Sequence, residues 1–355
     1  MSDPTDGAAE PIVAVASSAA APPSWGSRWG RGPGPISRFL IPRVLLGIVS
    51  WLVLSLLIFT ATEILPGNVV VAVLGRNATA AGAQVIVQRL HLDQPVMERY
   101  VTWLSQLLHG NLGVSLATLV VGGQPTQISS LIGGKAVNSL LLAGLTMVLV
   151  IVFTIVLGTL AGIRPGSRLD RAISALTLGA ISLPEFVAGT LLILVFARWL
   201  DWLPGTVVVA PGRNVLSQPA ALVLPVLTLL VVSLASSTRV IRATLTDVME
   251  SDYIEQARLN GYSEWIVLRH ALRNSLGPAV QIFAQTAQYL IGGIVVVEYL
   301  FNYPGLGAAL VDAVQSRDVP FVQGVALLLG ACYIIINILA DLIVTFVVPK
   351  LRLTA

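Results

Sequence analysis

"YIEQARLNGYSEWIVLRH", residues 253–270, is a polar stretch in a chain that is otherwise apolar. With its flanks it gathers Asp252, Glu255, Arg258, Glu264, Arg269 and Arg273, while the 355-residue chain as a whole is 55% hydrophobic and only 11% charged. Ser251 is placed to cap a helix whose first turn carries Asp252 and Glu255, acidic residues that the helix dipole favours there. Gly261 suits a left-handed helix stop, and Ser263 can cap a second helix ending in basic Arg269, His270 and Arg273. The stretch therefore predicts two short helices around Gly261. Isolated helices below about 12–15 residues hardly form in water, so these must pack on something. Tyr253, Ile254 and Ala257 offer a small apolar edge for that purpose. The candidates are the rest of this chain and a separate subunit.

Outward from this insert the chain is a series of apolar runs. A bilayer span needs about 20 apolar residues, and six runs qualify: 44–65, 138–163, 172–200, 219–238, 276–297 and 321–348. A mean hydropathy of +0.83 agrees. The fold class is an all-α membrane protein with six transmembrane helices. Residues 1–35 are rich in Ala, Pro, Ser and Gly without apolar periodicity, which predicts a disordered tail, and they lack the pattern of a signal peptide. Residues 36–355 form the membrane domain.

Charge sets the expected orientation. Arg28, Arg31, Arg38 and Arg43 precede the first span, and the segments that follow even-numbered spans carry Arg164, Arg168, Arg171, Arg239, Arg242, Arg258, Arg269 and Arg273, with Lys350 and Arg352 after the last. The short loops on the other side carry only Arg213 and Arg317. By the positive-inside rule both termini and the 239–275 loop are cytoplasmic, and the long loop over about 66–137 is external. The net charge of +3 follows from that bias and does not argue for nucleic acid. The single Cys332 excludes an intrachain disulfide, and His91, His109 and His270 show no ligand spacing.

Polar residues inside the apolar runs are the candidates for a pathway. "SLPEF" interrupts the third run: Pro184 removes a backbone hydrogen bond, and Glu185 places a carboxyl where a charge costs roughly 2.5–3.5 kcal/mol. A helix end near the interface would equally explain it. In the fifth run Gln281, Gln285, Gln288 and Gly292 fall on one helical face, as interhelical glue or, the reading favoured here, as the lining of a water-filled path. In the sixth, Asn337 and Asp341 share a face, and Asp341 can pair with an arginine. Gly158 and Gly162 in "GTLAG" allow close helix packing. In the long loop, apolar residues at Val96, Tyr100, Trp103, Leu104, Leu107 and Leu108 have a helical period, with Pro95 at the start and Gly110 past the end.

Enzyme signatures are lacking. The chain has no G-x-x-x-x-G-K-[ST], H-E-x-x-H or G-x-S-x-G, and "GLGAAL" at 305–310 lacks the third glycine and preceding strand of a dinucleotide fingerprint, which leaves it a turn.

The sequence does resemble a family. "YIEQARLNGYSEWIVLRHALRNSLGP" is similar to the cytoplasmic E-A-A…G loop of binding-protein-dependent ABC importer permeases. "LPGN", "LDQPVMERYVTWLSQLLHGNLGVSL", "GSRLDR", "SLPEF", "VLPVLTL", "GGIVVVEYLFNYPGLGAALVDAVQSRDVP" and "NILADLIV" resemble the dipeptide/oligopeptide branch, in its order, over about 38–352. The resemblance implies a type I ABC importer transmembrane domain in a bacterial plasma (inner) membrane. It implies a second similar permease, two cytoplasmic ATPase subunits that hold ATP and Mg, an external binding protein and a peptide substrate, with no cofactor in this chain. In that family the first loop helix docks on an ATPase. Here Glu255, Ala257 and Gly261 match the motif, and Tyr253, Gln256 and Arg258 are neighbours expected to touch the partner. Gln256 stands where the motif has alanine, and Leu259-Asn260-Gly261 where it has A-K-G. Nickel and glutathione are the branch's other substrates. The rivals are an ion-gradient-driven transporter using Glu185 and Asp341, and a membrane scaffold without a pathway.

Overall fold

The computed structural model describes residues 35–63, 93–117, 126–209 and 214–347. The expected tail over 1–35 lies outside the described residues apart from Pro35, as does the first part of the long loop. The described helices are α1 (Pro35–Glu63), α2 (Val96–Leu108), α3 (Ile128–Gly162), α4 (Arg168–Ile181), α5 (Glu185–Leu192), α6 (Pro219–Met249), α7 (Asp252–Leu259), α8 (Glu264–Asn274), α9 (Leu276–Leu300), α10 (Leu306–Gln315) and α11 (Val319–Val347). α5 continues as a π-helical segment, Ile193–Trp199, and among the described residues no strand forms.

α1, α3, α6, α9 and α11 are each long and apolar enough to cross a membrane. The third run is different. α4 and α5 meet at a 109° bend, and only taken together do they make a sixth span. Pro184 explains the break: it has no N–H to donate, and its ring pushes Leu183 out of helical conformation. Pro184 itself is the N-cap of α5, with extended backbone at φ −59° and ψ 147°.

Of the boundaries that differ from the expected ones, two have a clear physical reason. α6 runs to Met249, past the expected end at 238, because "RVIRATLTDVM" has no Gly or Pro and keeps burying Ile241 and Leu245. Arg239 and Arg242 therefore sit on a helix and not in a loop. α3 begins at Ile128, before the expected 138, because Ile128 and Ile132 are buried against Leu306, Ala309 and Phe321.

α6 is the central helix, packed by α3, α4, α5 and α9. A Cβ on Gly158 would lie 2.7 Å from Ile241 Cγ2, and one on Gly162 would lie 3.1 Å from Leu245 Cβ. The small-residue pair thus lets α3 and α6 run side by side in the same direction. At the periphery α1 and α11 pair antiparallel. Arg43 forms an ion pair with Asp341 at one end, and Gln323 Nε2 donates to Thr62 Oγ1 at 2.7 Å at the other. The expected arginine partner of Asp341 is Arg43. The other side of α1 exposes Leu45, Leu46, Ile48, Val49 and Leu52, as a lipid-facing helix would.

α2 caps the far end of α1, with Pro95 as its N-cap and Gly110 at φ +81° just beyond its C-cap. Tyr100 and Trp103 pack on Phe59 with ring centroids 5.3 and 5.7 Å away. The Tyr100 hydroxyl is hydrogen-bonded to Ser55 Oγ at 2.9 Å, and Arg99 is paired with Glu63. Val96 and Leu108 depart from the expected apolar face and are 51% and 67% exposed.

Candidate functional site

The polar insert forms the two short helices that its breakers and charges suggest. Gly261 takes φ +78°, the left-handed conformation that costs glycine least. Its N–H donates to Arg258 O at 2.9 Å and the Tyr262 N–H donates to Ala257 O at 3.2 Å. That pair of bonds is a Schellman stop, which satisfies the last carbonyls of α7. The serines do less than expected. Ser251 and Ser263 have extended N-cap backbones but make no side-chain capping bond. Ser251 Oγ instead donates back to Val248 O, bracing the α6–α7 corner.

Beneath the insert, Ile254, Val267, Ala271 and Leu245 are fully buried together, with Ala257, Leu268 and Leu272 packed against them. Burying one isoleucine stabilises by about 1.5–3 kcal/mol, so this cluster anchors two helices too short to stand alone. Of the candidate contact residues, Tyr253, Glu255, Gln256, Arg258 and Gly261 are exposed, while Ala257 leans toward the cluster. Arg258 pairs with Glu264 at 3.2 Å, and Asn274 Nδ2 donates to the Tyr253 hydroxyl at 2.8 Å, so α7 and α8 are clipped together on their exposed side. Leu259, Tyr262 and Trp265 are exposed beside them. This apolar patch extends the candidate docking surface beyond the motif residues. Nothing local separated these three from Ile254, Ile266, Val267 and Leu268 in the same stretch, so the sequence held no clear signal for the patch.

The candidate pathway residues divide. Gln288 Nε2 donates to Asn337 Oδ1 at 2.8 Å, so Gln288 joins α9 to α11. Gln281, Gln285 and Gly292 are exposed on the neighbouring face. Gln285 lines a groove of about 420 Å³ with Ile181, Ser233, Ser236, Thr286 and Tyr289. A second groove of about 640 Å³, lined by Ser174, Ser236, Arg239 and Arg242, shares Ile181 and Ser236 with the first. The two adjoin into one furrow across α4, α6 and α9. Glu185 starts α5 near its end: a Cβ on Gly293 would overlap the Glu185 carboxyl group, and the Tyr289 hydroxyl interacts with the same carboxylate.

One wall of that furrow is held by an ion pair that sequence reasoning passed over. Arg242 Nη2 donates to Asp170 Oδ2 at 2.7 Å, and its Nε donates to Oδ1. The Gly166 N–H and Ser174 Oγ also donate to Asp170, whose side chain is 3% exposed. Removing one member of a buried pair leaves the other charge uncompensated. Arg242→Ala should cost about 2–3 kcal/mol, at the low end because the arginine is partly exposed. Thermal unfolding of the purified protein in detergent checks this, with Asp170→Asn expected to be milder.

Two more buried carboxylates tie together the end of the molecule remote from α7 and α8. Glu298 is fully buried and accepts from Ser139 Oγ at 2.5 Å, the Gly307 N–H at 2.7 Å and the Ala308 N–H at 3.3 Å. "GLGAAL" is thus no mere turn. Gly305 caps α10, whose first N–H groups hold this carboxylate. Asp318, 2% exposed, accepts from Ser115 Oγ at 2.5 Å and from the Leu116 and Ala117 N–H groups at 3.1 Å each. An acidic residue followed at a distance by Gly-Leu-Gly was the available hint for Glu298. Nothing local pointed to the partners of Asp318.

The membrane domain thus combines a bent helix pair, a polar furrow and a two-helix insert at one face. The model of the binding-protein-dependent transport system inner membrane component matches residues 154–353. That of the N-terminal membrane component of the same systems matches 36–118. A putative peptide permease protein of Brucella suis biovar 1 (strain 1330) is 34% identical over 323 residues, covering 89% of this chain and 99% of the relative. A probable peptide ABC transporter permease protein of Sinorhizobium fredii is 32% identical, over 88% of this chain and 99% of its own length. The glutathione transport system permease protein of Escherichia coli (strain K12) is 34% identical, over 88% and 98%. The chain belongs to the binding-protein-dependent transport system inner membrane component family. It is a multi-pass permease subunit of an ABC importer, with the type I transmembrane domain.

Proposed function

We propose that this chain forms half of a translocation pathway for small peptides and receives the work of ATP hydrolysis through α7. The observation that carries this is the construction of α7: exposed Tyr253, Glu255, Gln256 and Arg258 stand on a helix anchored by Ile254 directly below the long central helix α6. A force on α7 reaches the furrow through one continuous element. The arginine distribution supports a cytoplasmic location for this face and for both termini. The partners are a second, similar permease, two ATPase subunits that carry ATP and Mg, and an external binding protein. The pathway face is the α4–α6–α9 furrow with Gln285, Gln281, Gly292 and Glu185, closed by the second permease. Gln288 serves mainly as interhelical glue.

Peptide as substrate rests on the peptide permease relatives; the glutathione permease marks the alternative, which shares an amide backbone and a free amine. An ion-gradient mechanism loses one of its two carboxylates, because Asp341 is paired with Arg43. Co-purification from native membrane tests the proposal. ATPase subunits and a binding protein are expected to accompany the chain, with uptake abolished by ATP depletion. Uptake that survives ATP depletion and collapses with the ion gradient would overturn it.

A further inference from the structure

Two buried polar atoms without a partner lie in or beside the furrow, one in its lining and one next to Tyr289. Glu185 Oε1 and Ser233 Oγ are both buried and make no hydrogen bond among the described residues. Ser233 lines the groove beside Gln285 and Tyr289, and Tyr289 interacts with Glu185. None of the four ion pairs among the described residues includes Glu185. A carboxylate is acceptor-only when ionised, and inside a membrane it faces a cavity or a partner. Here Tyr289 joins it to the cavity, and no ion pair among the described residues supplies the cation.

Depth narrows what that cation can be. At about 1.5 Å per residue from the start of α9, Gln285 lies roughly 14 Å and Tyr289 roughly 20 Å along the helix. They straddle the middle of a hydrocarbon layer about 30 Å thick. Glu185 packs against Gly293, roughly 26 Å along α9, so a cationic group bound there has Tyr289 and then Gln285 next along the helix. Gln285 and the Ser233 and Tyr289 hydroxyls can hydrogen-bond amides on the way. At the other end of the furrow Arg239 is exposed and joins the lining of the adjoining groove. A carboxylate adjoins the furrow beside Tyr289 and an arginine lines its other groove, which matches a short chain of amides bearing an ammonium and a carboxylate.

We propose that Glu185 binds the amino-terminal ammonium of the substrate during passage, with Tyr289 and Ser233 orienting it. This rests on the reading of the chain as a peptide permease and specifies what the pathway recognises. Both peptides and glutathione carry the free amine, whose ordinary pKa of roughly 7.7–8.0 keeps it mostly charged at pH 7. The site would make the permease a second selector after the binding protein.

The test uses the whole transporter, purified with its co-purifying subunits and reconstituted in vesicles, with trialanine as probe. Wild-type vesicles that fail to take up trialanine would count against the peptide reading itself. Given wild-type uptake, Glu185→Gln is expected to lower it at least tenfold with the complex intact. Glu185→Asp, which keeps the charge, should retain at least a third. N-acetyl-trialanine, which lacks the ammonium, should be handled alike by all three. Unchanged trialanine uptake in Glu185→Gln overturns the proposal, as does an Asp variant no better than Gln. Loss of the second permease from the variant complex also overturns it, because the carboxylate would then be pairing with a partner's cation.

Discussion

Gly261→Pro should abolish uptake, by at least tenfold, in a protein that still inserts in the membrane. Proline locks φ near −65°, whereas this position requires +78°. It also deletes the N–H that donates to Arg258 O and disfavours helical backbone at Asn260. The end of α7 and the entry to α8 must then rearrange together, and the presented row of Tyr253, Glu255 and Arg258 is lost as a unit. Insertion is spared because the five long apolar helices do not depend on this turn. Glu255→Ala supplies the control for folding. Glu255 is exposed and makes no side-chain bond to the described residues, so its removal should change stability by less than about 0.5 kcal/mol. If α7 docks on an ATPase, Glu255→Ala nevertheless lowers transport while ATP hydrolysis continues. Uptake and hydrolysis measured side by side in vesicles check both variants, and unimpaired uptake in both would refute the docking role.

Glu298→Ala should give the largest loss of stability, about 3–5 kcal/mol. It leaves Ser139 Oγ and the first N–H groups of α10 facing a void, and buried donors left unpaired cost roughly 1–3 kcal/mol each. Glu298→Gln keeps the shape and an acceptor oxygen, and should lose less. Gly305→Ala should resemble the alanine variant in severity, since a Cβ there would overlap the Glu298 carboxyl group. Thermal unfolding in detergent ranks the three. Uptake should fall in proportion to the folded fraction, because this junction joins α3, α9 and α10 away from α7.

Much of this was legible along the chain because the signals are local. Apolar length marked the spans, and the φ preference of Gly261 marked the turn between α7 and α8. The 3.6-residue period marked α2. The pair Gly158/Gly162 marked a close approach without saying to which helix. Where local rules competed, expectation and structure parted. Ser251 has the backbone of a cap, yet its hydroxyl donates to Val248 O and caps none of the α7 N–H groups. The expected loop after 238 is helix to Met249, because no residue there opposes helix and burial of Leu245 favours it. Gln288 belonged to a polar stripe by spacing, but which amide meets lipid, water or Asn337 depends on where α11 lies.

By itself the sequence determined the class: a multi-pass helical membrane protein, its expected orientation, and a two-helix insert with the features of a docking element. Span length, charge bias and turn chemistry are properties of contiguous residues, so one dimension suffices for them. Only the tertiary structure decided which charges are paired. Asp170 with Arg242, Asp341 with Arg43, Asp318 with the 115–117 backbone and Glu298 with the start of α10 are contacts made across helices. Glu185, left with a buried and unpartnered oxygen, stands out only against those satisfied carboxylates. Electrostatic satisfaction depends on distances of a few ångströms between residues far apart in the chain, and packing sets those distances.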